Sequence, residues 1–155
     1  MIDLNNLPDE LVSILKSRFK DKLNDLKIPP TAFTTMGGQL IEYNIDKGYL
    51  KTKFPVLKGF LNQFGNMQGG MIAAAIDNTL GPLSMLVAPP NFTRQLEIKY
   101  KKPVHPDIGY IFVSAQLVER RERQLLFTAS VEDNIKSILV TAKAIHWILD
   151  VTDDE

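Results

Sequence analysis

A single acid stands inside a small, apolar stretch. Gln68-Gly69-Gly70-Met71-Ile72-Ala73-Ala74-Ala75-Ile76-Asp77-Asn78-Thr79-Leu80-Gly81 opens on two glycines and carries one carboxylate, Asp77. A charge on an apolar helix costs free energy unless it has partners or a task. Glycines at a helix start leave backbone N–H groups open to a negative ligand. Together these are the two halves of an acyl-transfer site: donors to polarise a carbonyl, and a base to handle water. By residue type alone, Asp77 could equally be a structural carboxylate paired across an interface, and Gly69-Gly70 a tight turn with close packing.

The elements that must position these groups follow from periodicity. Leu7, Leu11, Ile14, Leu15 and Phe19 recur at helical spacing, with Pro8, Asp9 and Glu10 suited to a first turn, so a helix is expected over residues 6–26. Ile28-Pro29-Pro30 breaks it. Two strands, residues 39–46 and 49–57, are joined by Asp46-Lys47-Gly48, with Gly48 at the left-handed turn position. Residues 58–68 read as a loop and residues 69–86 as a second helix, which Gly81-Pro82 should end or kink. Residues 92–101, 110–119, 125–133 and 137–149 are rich in strand formers. Consecutive strands at hairpin spacing imply an antiparallel sheet. The long apolar helix is the element able to cover it, and Ala73, Ala74 and Ala75 permit close approach. The expected fold is α+β: a curved antiparallel sheet of five to six strands wrapped around one central helix, preceded by an N-terminal helical extension (residues 1–35) and followed by an acidic, fraying tail (residues 150–155).

At 155 residues the chain suits one domain. Eighteen basic residues balance eighteen acidic ones, which argues against broad nucleic-acid binding. With no cysteine, disulfides and thiolate-held zinc are excluded, and His105 and His146 lack metal-ligand spacing, so no metal site is expected. The N-terminus is acidic and amphipathic rather than a signal peptide, and no apolar run reaches ~20 residues, so no membrane span and a cytoplasmic address are expected.

The order of elements, together with Asn62-Gln63-Phe64-Gly65-Asn66-Met67-Gln68-Gly69-Gly70 followed by Asp77 and Gly81, resembles the hotdog-fold acyl-CoA thioesterases of the phenylacetate-degradation type. The family motif runs Asn, loop Gly, His-Gly-Gly, then Asp nine residues after the His. Every spacing matches, and Gln68 stands at the position of the His. The resemblance spans residues 35–149. It implies hydrolysis of an acyl-CoA, with Asp77 as base or nucleophile, the Gly69 amide on the thioester carbonyl, Asn62 on the attacking water, and Thr93 assisting. It implies no cofactor, CoA being part of the substrate, and edge-to-edge homodimers that often pair into tetramers. Gln68 keeps a donor and an acceptor but cannot change charge near neutral pH. A non-catalytic acyl-CoA binding or sensing protein is therefore the alternative.

Geometry asks for a dimer independently. Gly69 and Asp77 are eight residues apart, about 12 Å along a helix, whereas a base must lie within a few ångströms of the centre it serves. If both act on one substrate, they come from two chains, and a two-fold axis makes two equivalent sites. For the substrate, Gly70 belongs to the anion-holding turn. Phe60, Phe64 and Met67, with Met71 and Met85, could line an acyl pocket. Lys99, Lys101 and Lys102, and Arg120, Arg121 and Arg123, are candidates for the CoA phosphates. Asn62 could instead cap a turn. His105 reads as a turn residue, His146 as a hydrogen-bonded sheet histidine, and Trp147 as a packing residue on the opposite face.

Overall fold

The computed structural model describes residues 7–149. The acidic tail and the first six residues of the N-terminal extension lie outside the described residues. Helix α1 (Asp9–Phe19) is followed by a 3-10 segment (Lys20–Asp25), helix α2 (Thr31–Thr35), strands β1 (Gln39–Asn44) and β2 (Tyr49–Pro55), helix α3 (Gly69–Val87), and strands β3 (Asn91–Tyr100), β4 (Tyr110–Arg121), β5 (Gln124–Glu132) and β6 (Ile138–Ile148). The strands form one antiparallel sheet in the order β1-β2-β4-β5-β6-β3.

Two expectations about where the helices end change. The N-terminal helix is α-helical only to Phe19: Lys20 adopts φ 45°, and the chain tightens into 3-10 geometry before the prolines. The central helix is not ended by Gly81-Pro82 but runs on to Val87. Leu83 and Leu86 beyond the proline are buried, and Ser84 Oγ donates to the Gly81 carbonyl at 2.7 Å, so packing outweighs the one lost N–H. Ala88-Pro89-Pro90 then stops it, as expected.

α3 lies against the inner face of the sheet. Ile72, Ala75, Ile76, Leu80 and Leu83 are buried with Leu50, Phe54, Ile111, Val113, Leu125 and Val131 from the strands. Each large side chain so buried contributes roughly 1.5–3 kcal/mol. Thr52 of β2 and Thr79 of α3 share a hydroxyl hydrogen bond of 2.6 Å inside this core. By length and composition α3 is apolar enough to cross a membrane, contrary to the expectation that no segment would be; here it is the core helix under the sheet. The N-terminal extension clasps the other side of α3: Leu11, Leu15 and Phe33 are buried, and Arg18 donates to the Leu86 carbonyl at 3.1 Å.

α3 runs antiparallel to β3. Its start meets Tyr100, its middle meets Thr93, and Ser84 near its end meets Asn91. β3 is an edge strand, paired with β6 alone among the described residues. Its ladder slips between Thr93 and Gln95. In a regular strand, residues seven apart point to opposite faces. This bulge restores the phase, so Thr93 and Tyr100 both reach α3.

Candidate active site

Helix polarity explains where the donors are. Gly69 and Gly70 are the first two residues of α3, so their N–H groups have no intrahelical carbonyl to meet. Gln68 is the N-cap residue, extended at φ −62° and ψ 137°; its backbone N–H donates to Phe60 O at 2.8 Å and its carbonyl accepts from Met71 and Ile72. The Gln68 side chain is exposed and makes no capping hydrogen bond. Tyr100 secures the turn from β3, its hydroxyl donating to Gly69 O at 2.7 Å. A Cβ on residue 69 would sit 3.2 Å from Tyr100 Cζ, which is why glycine suits this position.

Asp77 lies two turns further along α3. It is exposed, and Thr93 Oγ1 donates to its Oδ1 at 2.8 Å. Thr93 Oγ1 is also 3.2 Å from His146 Nε2, and His146 Nδ1 is 2.9 Å from Asn91 Oδ1. A hydrogen-bonded row therefore leads from the exposed carboxylate to a histidine only 1 % exposed. His146 faces Thr93 directly across the β3–β6 ladder and packs its ring 4.9 Å from that of Phe127.

Burial holds His146 below its ordinary pKa, while the Asp77 charge acts more weakly the other way. The folded state thus favours neutral imidazole, and the unfolded chain takes up the proton first as pH falls through about 6.5. This stabilising contribution is present above that pH and is lost below it. The thermal unfolding midpoint should fall between ~pH 7.5 and ~pH 5.5, with a smaller fall in His146→Gln, as read by calorimetry.

The other expected site residues separate into groups. Asn62 turns its side-chain oxygen onto its own loop, accepting from the Phe64 and Asn66 N–H groups at 2.9 and 3.2 Å, so it caps a turn. Phe64 is 80 % exposed at the loop tip, whereas Met67 is 3 % exposed and part of the core. An apolar cavity of about 80 Å³ lies elsewhere, between the N-terminal extension, β1, β2 and the second half of α3; of the suggested acyl-lining residues only Met85 reaches it. Lys101 follows the Tyr100 end of β3, near Gly69, while Arg121 sits by the opposite end, as the last residue of β4 and ion-paired with Glu119. They are separated by roughly the 30 Å length of β3, so one chain does not bring them together. His105 accepts from the Asp107 N–H at 3.3 Å and caps a short 3-10 turn. Trp147, on the face opposite His146, stacks beneath Arg94 and Arg123.

Sequence reasoning overlooked Tyr100 and Asn91 as site residues. The alternation Asn91/Thr93 opposite Ala144/His146/Ile148 could have linked Asn91 to the histidine. Tyr100 could not have been linked this way, because the bulge breaks the alternation.

No protein-family model matches the chain, and no curated protein matches it. Solved structures do. The phenylacetic acid degradation-related protein of Ralstonia eutropha JMP134, described as a candidate thioesterase, superposes with a TM-score of 0.72 at 21 % identity, over 82 % of this chain and 97 % of that one. The Escherichia coli PaaI protein from the phenylacetic acid degradation operon gives 0.71 at 11 %, over 90 % and 99 %. Streptococcus mutans smu.793, solved bound to acetyl-CoA, gives 0.68 at 17 %, over 81 % and 94 %. The chain therefore has the fold of these PaaI-type proteins, the hotdog fold.

Proposed function

We propose that two copies of this chain hydrolyse an acyl-CoA thioester at sites shared between them. The carrying observation is on β3. One exposed edge strand anchors both halves of the chemistry, Tyr100 on the Gly69 turn and Thr93 on Asp77. A free edge of ten residues is a template for pairing with another strand. Antiparallel pairing of two β3 strands about Glu97 puts Tyr100 opposite the partner's Thr93, since with the bulge both lie three ladder positions from it. The Gly69 turn of one chain then approaches the partner's Asp77, and the two-fold axis repeats the arrangement.

In each site the open N–H groups of Gly69 and Gly70 hold the thioester oxygen as it gains charge, and the partner's Asp77 takes a proton from water. Thr93 occupies one carboxylate oxygen and leaves Oδ2 for that water. Asn62 Nδ2 is available to hold the water, and Lys101 and Arg121 of different chains are candidates for the CoA phosphates. Acetyl-CoA in the S. mutans relative supports the choice of substrate class.

Gln68 favours one second reading. It is an exposed N-cap residue with no ionisable group, which would also suit a protein that binds acyl-CoA without cleaving it. A panel of acyl-CoAs assayed by thiol release decides between the two. Hydrolysis of at least one member is expected. Tight binding without thiol release would favour the sensor, and absence of binding would end both readings.

A further inference from the structure

The Asp77–Thr93–His146–Asn91 row is one proton short. Asn91 Nδ2 donates to the Pro89 and Ser84 carbonyls at 2.8 and 3.4 Å, so the Oδ1 facing His146 Nδ1 at 2.9 Å is the acceptor. Nδ1 therefore carries the imidazole proton, and in the neutral ring Nε2 is a bare acceptor. Thr93 has one hydroxyl proton and two acceptors to serve, Asp77 Oδ1 at 2.8 Å and His146 Nε2 at 3.2 Å. With Asp77 ionised, one of these two links holds no proton. A proton taken by Asp77 on Oδ2 resolves the competition: Oδ1 of the neutral carboxyl is the weaker acceptor, and the Thr93 hydroxyl turns to donate to Nε2.

We propose that His146 is a positioning residue for the hydrolysis: as the neutral Nδ1–H tautomer, it takes over the Thr93 hydroxyl when Asp77 accepts a proton from the attacking water. The proposal rests on the thioesterase reading above. The water oxygen bonds to the thioester carbonyl carbon as one water O–H bond breaks and its proton passes to Asp77. Collapse of the tetrahedral adduct breaks the C–S bond, and Asp77 returns that proton to the thiolate. The Thr93 O–H bond rotates towards His146 and back without breaking, so the row ends as it began.

The surroundings suit a neutral ring. Facing it are Asp77 from α3, Thr93 and Asn91 from β3, and Leu125 and Phe127 from β5, with Asp77 the one charged group among them. Burial disfavours placing the missing proton on the imidazole instead. The imidazole absent from position 68 is thus present behind the base, reached through Thr93.

Two experiments test this. In pH–rate profiles, His146→Phe should lower kcat about tenfold and move the acidic limb about one unit lower, with KM within about twofold. His146→Gln, whose amide oxygen can accept from Thr93, should recover most of the rate. An unmoved limb in a folded, active His146→Phe protein would overturn the proposal, since loss of packing alone changes stability and not the limb. Nitrogen NMR of His146 needs no turnover. At ~pH 8 the wild type should show Nδ1–H and bare Nε2. In Asp77→Asn, whose amide can donate to Thr93, the Nε2 signal should move upfield as it accepts the freed hydroxyl, and adding Thr93→Val should abolish that move. An Nε2–H tautomer, or an Nε2 signal indifferent to Asp77→Asn, would also overturn it. The expected nitrogen shifts in a protein that releases no thiol would remove the thioesterase reading and leave the hydrogen-bonded row in place.

Discussion

Asp77→Asn is expected to lower thiol release from acyl-CoA at least ~100-fold, the lower range for loss of an acid–base group, while the protein remains folded. The reason for the separation is geometric. Asp77 is exposed on α3, and its structural link is the 2.8 Å hydrogen bond accepted from Thr93. An asparagine keeps a hydrogen bond with Thr93, its amide donating to Oγ1, but cannot take a proton from water. An exposed substitution that keeps its partner stays within about 0.5 kcal/mol of wild-type stability. Steady-state kinetics beside a thermal melt would check both halves. A variant that melts normally and turns over like wild type would return Asp77 to the structural role its residue type equally allows.

Gly69→Pro should cost a similar amount for the opposite reason. Residue 69 is the first of α3 and follows an extended residue, the position where proline fits a helix best. Its ring needs Tyr100, half-exposed at 48 %, to give by a few tenths of an ångström. The helix survives, and the N–H at the carbonyl site is gone. Deleting one such donor lowers kcat by about 100- to 1,000-fold in other enzymes. The two variants also test sharing. A dimer of one Asp77→Asn chain and one Gly69→Pro chain contains one site with a native Gly69 and the partner's native Asp77. Equal mixing makes about half the dimers mixed, each with one of two sites intact, so about a quarter of wild-type activity should return. Sites confined to one chain would recover none.

Much of the architecture was legible because periodicity reports burial directly. Six strands and the apolar helix follow from β-branched runs and small-residue spacing. Gly48 at φ 63° confirms the turn read from Asp46-Lys47-Gly48. Local rules failed where distant contacts outweighed them: Pro82 sits inside α3 because Leu83 and Leu86 after it are buried in the core. The Asp77 and Gly69 positions were legible through their spacing in a motif. His146 was legible as a hydrogen-bonded sheet histidine, but its partners and the contacts of Tyr100 and Asn91 were not, since each depends on which residue lies across a helix–strand or strand–strand contact.

The sequence by itself determined that a lone carboxylate and an open glycine turn share one helix about 12 Å apart, too far to act together from one chain. That is a property of covalent spacing. Only the tertiary structure decided what stands behind them. A single extra residue in β3 turns Thr93 and Tyr100 to the same face, and strand register sets a buried histidine against Thr93. A change of side-chain phase in an edge strand depends on how the whole sheet closes around α3, and no local run of residues encodes it.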